Sequence, residues 1–240
     1  MYSRSELRRE ALSLLRRGRV PLLPFVGFLT LIHLVLNVAD TLCSGASYDE
    51  LFHSGPTGFF VYFLTALIGM VLEMGRIEYC SRVRHGEEVA YGDLFCGFSF
   101  VFRVLSVIFL QAFLIAMGLS LFVIPGIFLT YRYRFSLYIL SEGPDRGPVE
   151  ILRQSGMETD GFKAELFLLD LSFAGWTLLA AAPFLAWSFV QTSFGSVADT
   201  CISGLLTFPM LLVNFWQTTT ELLLREKILT IKGINSHPEF

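Results

Sequence analysis

Charge is what this sequence has least of. Only 16% of its 240 residues are Asp, Glu, Lys or Arg, against about 25% in a soluble domain, which excludes an ordinary water-soluble enzyme. A net charge of −3 leaves no basic face of folded size to neutralise phosphates, so nucleic acid is excluded as a partner. The four cysteines, Cys43, Cys80, Cys96 and Cys201, have no CxxC or metal-like spacing. His33, His53, His85 and His237 are scattered, without HExxH or a second ligand one turn away, so nothing supports a metal site. GxSxG, P-loop and GxGxxG patterns are also absent. Glu87-Glu88 are adjacent carboxylates on a polar loop and read as solvated surface. No catalytic residue, cofactor or metal ligand is therefore expected.

What is present is apolar. Hydrophobic residues make up 53% of the chain, 24 of them Phe, and the mean hydropathy is +0.59. The apolar runs are Val20 to Leu42, Gly58 to Tyr79, Arg103 to Ile124, Gly126 to Leu140, Leu166 to Val190 and Ile202 to Leu224. Five are long enough to cross a hydrocarbon core of about 30 Å. The fourth is short and contains Arg132 and Arg134. Basic residues decide in its favour. With six crossings and a cytoplasmic N-terminus, none of the 18 Lys and Arg falls in Cys43 to Thr57, the Pro125-Gly126 turn or Gln191 to Cys201, a positive-inside pattern. The expected fold is all-α: a polytopic transmembrane helix bundle of six spans with both termini cytoplasmic.

Ser3 can cap a helix in which Leu7, Ala11, Leu14 and Leu15 recur opposite an arginine-rich face. This predicts an N-terminal amphipathic helix on the inner surface over residues 1–19, a membrane domain over 20–224 and a cytoplasmic tail over 225–240. The first span is too long for a signal h-region, and Asp40-Thr41-Leu42 before Cys43 suits neither cleavage nor lipid attachment. Pro148 to Met157 predicts a short interfacial helix. Cys43 and Cys201 share the predicted outer face, where a disulfide is geometrically allowed, although isolated cysteines at helix ends more often act as small packing residues.

Ionisable groups at membrane depth are costly, so their placement is the best clue to function. Thr30, His33, Asn37 and Asp40 share one face of the first span, and Thr65, Gly69, Glu73 and Arg76 one face of the second, with Glu73 and Arg76 able to pair. Asp170 and Thr177 lie on the fifth span, and Asn214, Gln217, Thr218 and Glu221 on the last. These stripes either line a polar cavity or hydrogen-bond between helices and hold the bundle together. Arg132 and Arg134 point about 200° apart on a helix, so they cannot share one face. One is expected to reach the headgroups, and the other to require Glu73, Asp170 or Glu221. Pro125-Gly126 is expected to form the turn between the third and fourth spans, and Ala112, Ala116 and Ser120 a small-residue stripe for close packing.

The stretch Arg82 to Phe98, with Gly86-Glu87, Asp93-Leu94-Phe95 and Gly97-Phe98, is followed by Ile124-Pro125-Gly126, Tyr138-Ile139-Leu140 and Pro144. Then come Ser155, Met157, Gly161, Lys163 and Phe167, leading to Leu171-Ser172-Phe173 and Gly175-Trp176. In these positions the chain resembles the bacterial integral membrane proteins catalogued as domain of unknown function 975. The ending Pro209 with Phe215-Trp216 departs from that family's pattern by Trp for Tyr, and Ala180 to Trp187 is poorer in glycine than its counterpart. The resemblance implies a bacterial cytoplasmic-membrane protein, of Gram-positive type, and implies no biochemical activity. A looser similarity to the membrane domain attached to glycerophosphodiester phosphodiesterases suggests a lipid-associated role.

Three readings of function follow. The first is a non-enzymatic membrane component whose partners are the lipid bilayer and either a membrane protein or a second copy of the chain. The second is a small-solute or ion transporter or channel subunit using the polar faces of spans one, two, five and six. The third is an intramembrane enzyme, for which Glu73, Asp170 and Glu221 are the only acid-base candidates.

Overall fold

Apolar runs of this length leave the backbone no partner but itself in lipid, and the chain answers with helices. The computed structural model describes residues 4–17, 21–44, 55–190 and 196–233, without the side chains at 17, 43, 44, 55–58, 190 and 196. The helices are α1 (Arg4–Arg17), α2 (Leu22–Ser44), α3 (Gly55–His85), α4 (Val101–Leu121), α5 (Val123–Arg132), α6 (Ser136–Glu142), α7 (Pro148–Glu158), α8 (Lys163–Val190), α9 (Ser196–Leu206) and α10 (Phe208–Lys232). A 3-10 helix, Tyr91–Phe100, leads into α4, and no strand occurs among the described residues. Among the described residues five stretches are long and apolar enough to cross a membrane: Leu22–Leu42, Phe59–His85, Tyr91–Leu121, Lys163–Phe189 and Val197–Lys232.

Several boundaries differ from those expected. The fourth apolar run is not one helix: it breaks between Arg132 and Ser136. The turn before it falls at Phe122, whose φ of −159° and ψ of 153° are fully extended. Pro125 instead occupies the first turn of α5, where an absent N–H costs nothing. The last run breaks at Thr207, because Pro209 follows at the start of α10 and cannot continue a helix from upstream. Leu211 N–H then finds the Thr207 carbonyl at 3.1 Å. α10 continues past residue 224 to Lys232.

The chain divides into two compact units. One comprises Val20–Met70 and Ala174–Phe215. In it α2 packs on α9: the Thr41 and Thr200 hydroxyls meet at 2.9 Å, and Gly204 leaves room for Leu34, whose Cδ1 would lie 2.7 Å from an added Cβ. Phe25 and Phe215 meet edge to face at 6.0 Å.

The other unit comprises Met1–Arg19, Val71–Phe173 and Trp216–Phe240. Leu7, Ala11 and Leu15 of α1 are buried in it, so the apolar face expected to lie on headgroups is covered by protein. Trp216 Nε1 donates to the Arg8 carbonyl at 2.9 Å, and Arg8 Nη1 to the Ser172 carbonyl at 3.0 Å. The 3-10 helix approaches α3 through two glycines, with an added Cβ on Gly75 lying 2.2 Å from the Leu94 carbonyl oxygen and one on Gly97 lying 2.8 Å from that of Val71. On α4, Ala112, Ala116 and Ser120 are exposed. The close approach to α5 is made instead by Gly118 against Gly126 and Leu129.

Candidate functional site

Breaking a helix frees backbone groups that lipid cannot satisfy. Tyr133 (φ −100°, ψ 13°) and Phe135 (φ −92°, ψ 5°) sit in the bridge region between α5 and α6. The freed groups are met by α7. The Ser155 hydroxyl donates to the Arg132 carbonyl at 3.0 Å and accepts from the Phe135 N–H at 3.2 Å. Thr159 Oγ1 donates to the same carbonyl at 3.1 Å. Pro148 sits in the first turn of α7, and Ile151, Leu152, Ser155 and Gly156 are buried. The helix expected to be interfacial is therefore packed through one face against the break.

The break separates the two arginines. Arg134 turns inward, where Nη2 donates to Glu221 Oε1 at 2.5 Å and to Asp170 Oδ1 at 3.3 Å, and Nε to Glu221 Oε2 at 3.2 Å. Gln217 Nε2 bridges the same carboxylates, donating to Asp170 at 2.9 Å and Glu221 at 3.1 Å. Tyr131 donates to Asp170 Oδ2 and Tyr138 to Glu221 Oε2, both at 3.0 Å. Every carboxylate oxygen thus accepts at least one bond. With both acids ionised, one cation faces two anions. Arg132, in contrast, is exposed and lies across Gly156, where an added Cβ would be 2.9 Å from its Nε.

A second charged cluster is the more deeply buried. The Arg225 side chain is 4% exposed and that of Glu158 2%. Arg225 grips Glu142 with two nitrogens, at 2.6 and 2.9 Å, and Glu158 at 2.7 and 3.2 Å. Gln154 donates to Glu158 at 2.9 Å, and Arg146 to Gln154 at 2.7 Å. Beside it Lys232 Nζ donates to the carbonyls of Met157, Glu158 and Asp160 at 2.6 to 3.0 Å, closing the end of α7. Lys163, bonded to Asp160 at 2.9 Å, holds that exposed carboxyl below its usual range, first by the hydrogen bond and then by its charge.

Of the residues singled out from sequence, Arg134, Asp170 and Glu221 come together. Glu73 and Arg76 form their own ion pair on α3. His33, Asn37, Asp40 and Asn214 belong to the other unit, where His33 Nδ1 meets the Leu29 carbonyl of its own helix at 2.9 Å and Asn37 is exposed. Sequence reasoning missed Tyr131, Tyr138, Glu142, Ser155, Glu158 and Arg225. Polar residues flanking the Arg132–Arg134 pair were the available signal for the tyrosines. Among the described residues Cys80, Cys96 and Cys201 are in no disulfide, while the Cys43 side chain, Ser3, His53 and His237 lie outside the described residues. No group of three His, Cys, Asp or Glu among the described residues is arranged to hold a metal.

No curated protein and no solved structure matches the chain. A family model matches residues 106–229, the stretch that carries both arginine clusters and the broken helix. The chain belongs to the family described as Protein of unknown function (DUF975).

Proposed function

We propose that the chain is a non-enzymatic multi-pass component of a bacterial cytoplasmic membrane that acts by binding lipid or a membrane partner, a membrane protein or a second copy of itself. The observation that carries this reading is the closure of the Arg134–Asp170–Glu221 cluster, in which every carboxylate oxygen already accepts a bond from the protein. Charges spent in this way hold helices together and are not offered to a reacting substrate. Large apolar side chains such as Phe102, Phe122, Ile124 and Phe189 face outward, as suits a surface in lipid.

The reading includes six crossings with both termini cytoplasmic. Its support is the pairing of α4 with its return path: Gly118 faces Gly126, Ser136 donates to Gln111 at 2.5 Å, and Arg103 near the start of α4 meets Asp145 beyond α6 at 2.9 Å. A chain that starts α4 and ends α6 at one level has crossed twice or not at all, and α4 with its 3-10 lead is long and apolar enough to cross. The basic residues then fall on one side.

A second reading, a small-solute or ion transporter, is favoured by one observation. A helix broken beside a charged cluster with an excess carboxylate is how many transporters build a midplane site. Purification from native membranes, with mass spectrometry of whatever co-purifies, separates the two. The first reading expects a bound phospholipid or a membrane partner at fixed stoichiometry. Neither of these, together with solute flux in reconstituted vesicles that stops in Glu221→Gln, would favour the transporter.

A further inference from the structure

The apolar stripe of α1 is taken by the protein. Leu7, Ala11 and Leu15 are buried, so the helix does not lay that stripe into lipid as an amphipathic surface helix does. The same side is tied down by polar contacts. Trp216 Nε1 donates to the Arg8 carbonyl and Arg8 Nη1 to that of Ser172, while the Arg8 guanidinium carbon lies 5.9 Å from the Phe173 ring centroid. What α1 leaves outside is charge. Arg9 and Arg16 fall at i and i+7, on a face turned about 150° from the buried stripe at 3.6 residues per turn. Both are exposed, and neither is bonded to a described residue. α1 carries five arginines against two glutamates, and of those two Glu10 is held by Lys227 at 3.4 Å.

The level of α1 is marked by α8. Arg8 meets α8 at Ser172, between Lys163, which opens the candidate span Lys163–Phe189, and the exposed Trp176 one turn past Ser172. A lysine and an exposed tryptophan at the end of a span are the side chains that settle among headgroups. The candidate span Leu22–Leu42 opens five residues after α1 ends at Arg17, which holds α1 near the same surface. Arginines at that level, unpaired within the chain, are matched by the phosphates of the leaflet beside them.

We propose that Arg9 and Arg16 bind the phosphates of anionic phospholipids in the inner leaflet, α1 turning its apolar face to the bundle and its charge to the membrane. This rests on the lipid-binding reading above and gives it a surface and a ligand class. Such binding is electrostatic. It weakens as salt screens the charges, and it asks for a cation more than for a particular side chain. A helix that inserted its apolar face would instead bind in proportion to the apolar area it buried.

The test uses the full chain in a neutral detergent, titrated with phosphatidylglycerol, phosphatidylcholine or inorganic phosphate and weighed by native mass spectrometry at rising ammonium acetate. The wild-type chain is expected to bind phosphatidylglycerol more tightly than phosphatidylcholine, by a margin that shrinks as the salt rises. Arg9→Gln with Arg16→Gln is expected to lose about thirtyfold in phosphatidylglycerol binding, the effect of removing two charges at a membrane surface. Arg9→Lys with Arg16→Lys is expected to keep most of it, and Arg153→Gln, an exposed arginine on α7, all of it. Equal binding by the wild type and the glutamine double variant would overturn the surface while leaving lipid binding in place. A wild-type chain that binds neither phospholipid would overturn both. Equal affinity for the two phospholipids, or binding that salt does not weaken, would overturn the electrostatic mode, and inorganic phosphate held as firmly as phosphatidylglycerol would overturn the lipid as the source of the anion.

Discussion

The hydroxyl of Ser155 donates to the carbonyl of Arg132 across 23 residues of chain, at 3.0 Å. That one contact, with its return bond from the Phe135 N–H, makes a broken helix tolerable in an apolar setting. It also ties α7 to the place where Arg132 and Arg134 part company.

Ser155→Ala leaves the Phe135 N–H without its acceptor, and the Arg132 carbonyl keeps only Thr159. A buried polar group left unmade costs about 1–3 kcal/mol. Reversible unfolding in detergent should therefore register a loss of that size. Ser155→Thr, which keeps the hydroxyl, should recover part of it.

Two glycines on α3 should respond in opposite ways. An alanine Cβ at Gly75 would lie 2.2 Å from the Leu94 carbonyl oxygen and 2.5 Å from its Cα, both backbone atoms of the 3-10 helix that cannot swing aside. Gly75→Ala should push that segment off α3 and destabilise the chain by about 1–3 kcal/mol or more, as overpacking does. Gly69, on the same helix, has nothing within 4 Å of an added Cβ. Gly69→Ala should be neutral or stabilise by up to about 1 kcal/mol. Thermal unfolding of the two variants side by side checks the contrast.

Arg225→Lys keeps the charge but loses the planar fork that holds Glu142 and Glu158 together. A lysine cannot hold both acids, and where it is the buried Glu158 that loses its partner, breaking such a buried pair costs about 3–5 kcal/mol. The variant should lose nearly as much thermal stability as Arg225→Gln. A lysine that restored wild-type stability would mean that charge alone, and not the paired geometry, holds α10 to α6 and α7.

The helical membrane class was legible from the length and composition of the runs, because lipid permits little else. The breaks were less so. Pro125-Gly126 drew the expected turn to itself, but a proline in the first turn of a helix is as well placed as one in a loop, and the chain turned at Phe122. The interruption after Arg132 depends on Ser155 and Thr159, whose side chains reach it only in the folded chain. Hydropathy ended the last run at Leu224, which made Arg225 look like the start of a tail. Its helix continues because Glu158, 67 residues away in sequence, neutralises it. The divergence of Arg132 and Arg134 was expected from their spacing on one helix, but it is the break after Arg132 that parts them, and which of them turned inward could not be read.

The central claim is that the intramembrane charges serve one another. It is tested most directly by a double-mutant cycle on Arg134 and Glu221, whose closest contact is 2.5 Å, using Arg134→Gln, Glu221→Gln and the pair, with unfolding free energies measured in one detergent. Residues that share a network couple by about 0.5–3 kcal/mol, and with two bonds between these two the predicted coupling is in the upper half of that range. Additive single effects, with no coupling beyond about 0.3 kcal/mol, would contradict the account.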